Sequence, residues 1–200
     1  MTTFEISWAL SFTCLVILTG CIGKWTKTSY LGILIDNRGR FSLTHLQIVL
    51  WTLIILSSIV GVLIATNFDP SKISLSTQLL GLMGISAGSA VLSTGVKGAK
   101  DAPGGSANVA KAGAFQLSSG STTTITAKFS QIWLEEEGDQ ADNVVSVTKF
   151  QNFIFTLVIV GTYVSIALKT GGLPVLPDNM VWLIGISQAG YVGGKIPDKS

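Results

Sequence analysis

Uncharged polar side chains recur inside the long apolar segments of this chain, and several occupy matching positions in two of them. The matching pairs are Gln47 with Gln151, Thr52 with Thr156, and Ser86 with Ser187. Ser89, Ser93 and Gln188 lie close to them in the sequence. Groups of this kind either form hydrogen bonds between membrane helices or line an aqueous path. These nine residues are therefore our candidates for a pore lining or a helix interface, and both interpretations stay open at this point.

The residue patterns that usually mark an enzyme are missing. The single histidine, His45, stands at the edge of an apolar segment and has no second catalytic motif beside it. No predicted span contains an internal Asp, Glu, Lys or Arg, which are the groups typical of proton relays and coupled transport. Metal-ligand spacing is absent, and the Gly-rich stretch 104–113 lacks the spacing of a phosphate-binding loop. We therefore expect no enzyme activity, no cofactor and no metal site.

The composition is typical of a membrane protein. Charged residues make up 12% of the chain, about half the usual share in soluble proteins, and they cluster between long apolar runs. The predicted fold class is therefore an all-α integral membrane protein with five transmembrane helices and the lipid bilayer as its surroundings. A net charge of +2 and the lack of basic runs with interleaved aromatic residues argue against a nucleic-acid partner.

An internal repeat organises the predicted helices. The motif Ser-x-Thr-x-x-Gln begins at Ser42 and again at Ser146, and the motif Leu-x-Gly-Ile-Ser ends at Ser86 and again at Ser187. Matching apolar runs join the two motifs in each copy, which indicates two tandem parallel helical hairpins behind a lead helix. The predicted organisation is a lead transmembrane helix at 1–23, a cytoplasmic or interfacial linker at 24–44, a first hairpin at 45–97, a cytoplasmic loop at 98–145 and a second hairpin at 146–197.

The last and the first predicted helix each carry one further prediction. The fifth span, at about 180–192, is short for a bilayer, and Asp178 is well placed to cap its start. The lead helix has a rival interpretation as a lipoprotein signal cleaved before Cys21. No basic residue precedes Lys24, and such a signal needs a positive amino-terminal region, so we favour a retained helix.

The predicted loop is the longest polar stretch of the chain. Its part 98–121 is rich in Gly, Ala and Ser, which favours flexibility, and 122–129 alternates in the way of a strand. The acidic run that follows is expected to be solvated, because it does not match a calcium-binding loop. If the loop recruits a cytoplasmic protein, the candidate contact residues are Trp133, Glu135, Glu136 and Glu137.

The charge distribution predicts an orientation. With five spans, one side of the membrane receives eleven Lys and Arg residues and the other receives only Lys72 and Lys169. The positive-inside rule places the first side in the cytoplasm. The amino terminus is then outside and the carboxyl terminus is cytoplasmic, in the inner membrane of a bacterium.

The two hairpin motifs, with the closing Gly193-Gly194-Lys195, resemble uncharacterised bacterial multi-pass membrane proteins. The resemblance covers about half of the chain and implies a prokaryotic membrane origin without any transferred activity. Our first functional hypothesis is a homo-oligomeric assembly that forms a regulated ion-conducting pore. The alternative is a membrane anchor or sensor subunit that recruits a cytoplasmic partner, for example in a bacterial stress or phage-defence system. A purely structural membrane protein is the third interpretation.

Overall fold

The computed structural model describes residues 2–27, 29–103, 109–116 and 120–197. Within these ranges the chain forms five α-helices and one two-stranded hairpin. The helices are α1 (Thr3–Lys27), α2 (Leu43–Ala65), α3 (Thr77–Asp101), α4 (Val147–Thr170) and α5 (Asp178–Gly193). The strands β1 (Gly113–Gln116) and β2 (Thr122–Ile125) are antiparallel, with Gly113 opposite Ile125.

Four of the helices in the described ranges, α1 to α4, are long and apolar enough to cross a membrane. The shortest of them, α2, has 23 residues, which at 1.5 Å per residue span about 35 Å against a hydrocarbon core of about 30 Å. Helix α5 has 16 residues and spans about 24 Å. The chain is therefore mostly helical, and its helices support a multi-pass membrane protein.

Serine side chains start two of these helices. Ser42 accepts a hydrogen bond from the backbone N–H of His45 and so caps α2, while Ser76 caps α3 through the N–H of Leu79. Gly171 ends α4 with a φ of +67°, a left-handed conformation that glycine adopts without strain.

The prediction that Asp178 caps α5 is wrong. Pro177 holds the N-cap position, and Asp178 is the first helical residue. Because its carboxylate is not needed as a cap, Oδ1 of Asp178 accepts a hydrogen bond from Nε2 of Gln78 at 2.7 Å. This bond joins the first turns of α3 and α5, which therefore start at the same level of the bundle.

The bundle has two chemically different ends. At one end, which we call the turn end, the short connections from α2 to α3 and from α4 to α5 lie near the start of α1, where Phe4 packs with Val62 and Ala167. At the other end, which we call the polar end, Arg38 and Lys195 meet Glu136 from distant parts of the sequence. Successive helices therefore run in alternate directions between the two ends.

The largest apolar core lies in the half of the bundle toward the turn end. It consists of Trp51, Ile54, Ile55, Leu79, Leu82, Ile159, Tyr163, Leu176 and Ile184, from α2, α3, α4, α5 and the turn before α5. Helix α1 packs against α2 and is the most exposed of the candidate spans, with 11% of its apolar window buried. An exposed apolar helix of this kind is suited to face lipid.

The loop between α3 and α4 folds back onto the polar end. The predicted strand at 122–129 is present in part, as β2 followed by a 3₁₀ helix at Phe129–Ile132. The predicted flexible stretch falls partly outside the described residues, at 104–108 and 117–119. Trp133 packs against Phe153 of α4 with ring centroids 5.6 Å apart, so this part of the loop is attached to the bundle.

Candidate functional site

Amide and hydroxyl groups from three helices form one buried cluster, which we call the amide cluster. Its members are Gln47, Asn152, Thr156, Ser187 and Gln188. Nε2 of Gln47 donates to Oδ1 of Asn152 at 3.1 Å and to the hydroxyl of Thr156 at 2.7 Å. Asn152 also accepts from the hydroxyl of Ser187 and donates to Oε1 of Gln188, both at 3.3 Å. The cluster therefore cross-links α2, α4 and α5 through side chains.

Three candidate serines lie on one buried face of α3, which we call the serine face. Ser86, Ser89 and Ser93 are spaced by three and four residues, which brings them to the same side of a helix. The hydroxyl of Ser89 donates to the carbonyl of Ser86 at 3.0 Å. Among the described residues, the hydroxyls of Ser86 and Ser93 have no hydrogen-bond partner, and neither has Nε2 of Gln188.

A polar cavity opens where the serine face reaches the polar end. Its volume is about 260 Å³. The lining residues are Asp36, Asn37, Ser42, Thr44, His45, Ser93, Thr94 and Lys97. Ser93 is only 1% exposed, so its unpartnered hydroxyl lies at the boundary between this cavity and the bundle interior.

The matching positions of α2 and α4 do not share one environment, whereas Ser86 of α3 and Ser187 of α5 are both buried. Gln47 is buried but Gln151 is exposed, and Thr156 is buried while Thr52 is exposed. In α4 the buried positions fall one residue later than their counterparts in α2, so that Asn152 takes the place expected for Gln151. One residue corresponds to a rotation of about 100° around the helix axis. The two helices therefore present different faces to the bundle.

Charged residues from the segment before α2, from the loop between α3 and α4, from the adjoining helix ends and from the segment after α5 meet at the polar end, in what we call the charged cluster. Its members are Asp36, Arg38, Arg40, Lys97, Lys100, Asp101, Glu136, Glu137, Asp142, Lys149 and Lys195. At its centre is Glu136, which is 8% exposed. Its Oε1 lies 2.7 Å from Nζ of Lys149 and 2.6 Å from Nζ of Lys195. Its Oε2 lies 3.1 Å from Nζ of Lys97 and 3.3 Å from Nη1 of Arg38.

Two carboxylates of this cluster stay ionised because cations surround them. Burial alone would raise the pKa of Glu136, but the charges of Lys149, Lys195 and Lys97 outweigh burial and hold this pKa well below its usual value. Burial likewise opposes the ionised form of Asp36, whereas Lys97 at 2.7 Å lowers the pKa of that carboxyl overall. Both carboxylates are therefore ionised throughout the neutral pH range.

Further ion pairs connect the other members of the cluster. Arg38 pairs with Asp101 at 3.0 Å, Lys100 with Glu137 at 2.7 Å and Arg40 with Asp142 at 2.7 Å. The expectation that the acidic run is a solvated loop is wrong for Glu136, because this residue is buried among cations.

The four predicted partner-binding residues all have contacts inside the chain. Trp133 packs against Phe153, Glu136 and Glu137 form the ion pairs described above, and the backbone carbonyl of Glu135 accepts from Arg40 at 3.0 Å. Recruitment of a partner through these residues stays a prediction, and it would require some of these contacts to open.

Several residues of both clusters were not among the sequence candidates. Asn152 lies next to the candidate Gln151, and only the direction of the helix face distinguishes the two. In the sequence, Lys149 contributes only to the charge count that predicts orientation, and Lys195 contributes to that count and to the closing motif. Their proximity to Glu136 joins residues that are 13 and 59 positions apart in the chain, and the sequence carries no local signal for such contacts.

Comparison with protein-family models, with curated proteins and with solved structures finds no match to this chain, so its function has to be argued from the geometry of the two clusters, the serine face and the cavity.

Proposed function

We propose that the protein forms a regulated ion-conducting pore, with a polar path that runs along the serine face of α3. The observation that carries this proposal is the set of buried polar atoms without partners. Among the described residues these include the hydroxyls of Ser86 and Ser93 and Nε2 of Gln188. A buried polar group without a hydrogen bond costs about 1–3 kcal/mol, and such groups in native proteins usually bind water or an ion. An interior that tolerates three of them is suited to a hydrated path.

The polar cavity supplies an entrance to this path. It has a volume of about 260 Å³, and Ser93 lines it together with Thr44 and Lys97. A cavity needs only about 10–15 Å³ of such space to hold one water molecule, so several can enter together. Ser93 marks the step from the cavity into the bundle, with Ser89 and Ser86 one and two turns deeper.

The path is closed toward the turn end in this conformation, which is why we propose regulation. The apolar core around Trp51, Leu82 and Ile184 fills the half of the bundle toward the turn end. At the polar end, the charged cluster fastens the loop between α3 and α4 across the helix ends. Conduction therefore requires the helices around the apolar core to move apart. Release of Glu136 from its four cations would free the loop and permit this movement.

Assembly into a homo-oligomer is part of the same proposal. The face of α3 opposite the serines carries Gly84, Gly88 and Gly95, and a Cβ atom added at any of them would meet nothing within 4 Å. Small residues on an exposed membrane helix permit close approach of another helix. A second copy of the chain is the partner that we propose for this face.

The proposed setting is a bacterial inner membrane, with the polar end in the cytoplasm. The internal repeat and five crossings are part of the proposal, and α3 and α5 support them. These two helices run parallel with a constant offset, since Gln78 bonds Asp178, Gly81 lies beside Val181 and Ile85 lies beside Gly185. The offset of 100 residues at all three contacts is within one residue of the 101 that separates Ser86 from Ser187, which supports side-by-side packing of nearly equivalent positions of a duplicated hairpin.

Ion flux into liposomes tests the proposal. Purified protein should conduct weakly. Glu136→Gln should raise the ion flux because it weakens the ion pairs that attach the loop between α3 and α4 to the helix ends. In a Cys14→Ser, Cys21→Ser background, a charged thiol reagent should block ion flux through the Ser93→Cys variant. The matched control is Thr162→Cys, at a half-buried position of α4 where the native hydroxyl bonds only its own helix in the described contacts.

Two results would contradict the pore. One is the absence of flux from both wild type and Glu136→Gln in liposomes that hold the folded protein. The other is equal effect of the reagent on Ser93→Cys and Thr162→Cys, which would show that Ser93 lines no path.

A further inference from the structure

Helix α1 contacts α2 near the turn end and the segment before α2 near the polar end. Near the turn end, a Cβ atom added at Gly61 of α2 would lie 3.2 Å from Cβ of Trp8. Near the polar end, one added at Gly23 of α1 would lie 2.7 Å from the backbone carbonyl oxygen of Tyr30, which precedes the 3₁₀ helix Gly32–Leu34. Between these contacts lies a groove of about 450 Å³, which we call the α1–α2 groove.

The walls of this groove are almost entirely apolar. Val16 and Ile17 of α1 face Val49, Leu50 and Leu53 of α2 across it. An apolar cavity of about 150 Å³ in a soluble protein already binds benzene, and this groove is about three times larger. In a chain whose helices cross a membrane, the apolar molecules at hand are lipid acyl chains. A chain that extends along the two helices matches the shape and chemistry of the groove.

Basic residues stand at the polar end of the groove. Tyr30 lines the groove, and its hydroxyl accepts a hydrogen bond from Nζ of Lys24 at 3.0 Å. Lys27 follows one turn later in α1, and both lysines are exposed. From residue 6 to residue 35 the sequence contains no Asp or Glu. The mouth of the groove therefore carries a local positive charge.

Trp25 indicates the depth of these lysines in the bilayer. Its side chain is 89% exposed and lies between Lys24 and Lys27 in sequence. Exposed tryptophans of membrane proteins concentrate at the level of the lipid headgroups. The two ammonium groups are then at the depth of the phosphates, while the groove extends from there toward the hydrocarbon core.

We propose that the α1–α2 groove is a binding site for one anionic phospholipid. An acyl chain fills the groove, and Lys24 and Lys27 bind the negatively charged headgroup. The site is separate from the serine face and from the charged cluster, so it does not depend on the proposed pore.

Lipid retention tests this site. The protein is reconstituted into nanodiscs of equal phosphatidylglycerol and phosphatidylcholine, released into mild detergent, and analysed by native mass spectrometry for lipids that stay bound. We expect phosphatidylglycerol to be retained in excess. Lys24→Gln and Lys27→Gln should each reduce that excess on the order of fivefold, the contribution of one basic residue near an anionic lipid surface. The matched control is Lys72→Gln, at the turn end, which should leave the excess unchanged.

A second variant tests the groove itself. Gly20 lines it, and a Cβ atom added there would lie 3.7 Å from the Tyr30 ring, which is ordinary contact. Gly20→Leu should therefore fold and fill the groove, and it should abolish retention of the bound lipid. Gly161→Leu, at an open position of α4, is the control for the substitution. Retention of both lipids in equal amounts would overturn the anionic site, and undiminished retention by Gly20→Leu would overturn the groove as its location.

Discussion

Glu136 is the residue on which the polar end depends. One carboxylate contacts Arg38, Lys97, Lys149 and Lys195, which come from four separate parts of the chain. Cations gathered at this density repel one another unless a negative charge lies between them. The buried glutamate is therefore better described as an internal counter-ion than as a surface charge available to another protein.

Replacement of Glu136 should be strongly destabilising. Glu136→Gln keeps the shape of the side chain but leaves four buried cations without their shared partner, and breaking a buried ion pair from one side typically costs about 3–5 kcal/mol. The measurement is unfolding in mixed detergent micelles, followed by tryptophan fluorescence. Glu137→Gln is the graded control, because the Glu137 side chain is as buried as that of Glu136 but pairs with Lys100 alone in the described contacts. Equal losses for the two variants would contradict the central role of Glu136.

The same carboxylates predict a pH dependence. The pKa values of Glu136 and Asp36 are lower in the folded chain than in the unfolded one. The stability that they confer is therefore complete above about pH 5, where an unfolded carboxyl group is ionised, and it is lost as the pH falls through the folded values. Thermal midpoints measured from pH 7 down to pH 2 should fall in the acid range, and the fall should be smaller for Glu136→Gln. A midpoint that rises on acidification would contradict this assignment.

At the scale of the helices, the rotation of α4 relative to α2 decides which polar side chains meet. Gln151 and Asn152 are neighbours of similar chemistry, yet Asn152 is fully buried and joins three helices while Gln151 is exposed. Both α2 and α4 have several polar residues that could face inward. Packing of the apolar core fixes the rotation of each helix and so decides which of these residues are buried. The motif match between α2 and α4 therefore does not identify the interior residues of these two helices.

This difference gives a matched pair of variants. Asn152→Ala removes the partner of Gln47, Ser187 and Gln188, and leaves their buried polar groups with fewer hydrogen bonds, which should cost about 1–3 kcal/mol. Gln151→Ala changes an exposed neighbour on the same turn and should cost less than about 0.5 kcal/mol. Unfolding in mixed micelles measures both. If Gln151→Ala proved the more damaging variant, the orientation of α4 would be wrong.

The element boundaries were the part of the fold most accessible from sequence. Asn67 with Pro70 and Gly171 with Gly172 mark the two turns, because these residue types end helices, and the helices stop close to them. The contacts at the polar end were not accessible. Arg38 and Glu136 are 98 positions apart, and a single sequence contains nothing that pairs one charge with another at that distance.

At the scale of the whole molecule, the ion pairs bear on orientation. The segments before α2, between α3 and α4, and after α5 touch one another in the charged cluster. Segments in contact lie on one side of a membrane, and they are also the segments that hold most of the basic residues. The contacts place these segments together on one side, and the positive-inside rule predicts that this side is the cytoplasmic one.

Accessibility of single cysteines tests this orientation. In the Cys14→Ser, Cys21→Ser background, Lys72→Cys and Gly172→Cys mark the turn end, and Gln140→Cys marks the polar end. With a membrane-impermeant maleimide added to intact bacteria, the first two should be labelled at once. Gln140→Cys should be labelled only after the cells are opened. The reverse pattern would mean that the polar end is outside.

The contact between Lys195 and Glu136, the shortest of the four ion pairs of this carboxylate, also has a consequence for biosynthesis. Ribosomes make Arg38, Lys97, Glu136 and Lys149 before Lys195, so the carboxylate gains its closest cation only after α5 has been translated. Until then the polar end is held by an incomplete set of ion pairs. A chain interrupted before Lys195 would expose this region to cellular proteases, and degradation would thereby remove unfinished copies before they accumulate.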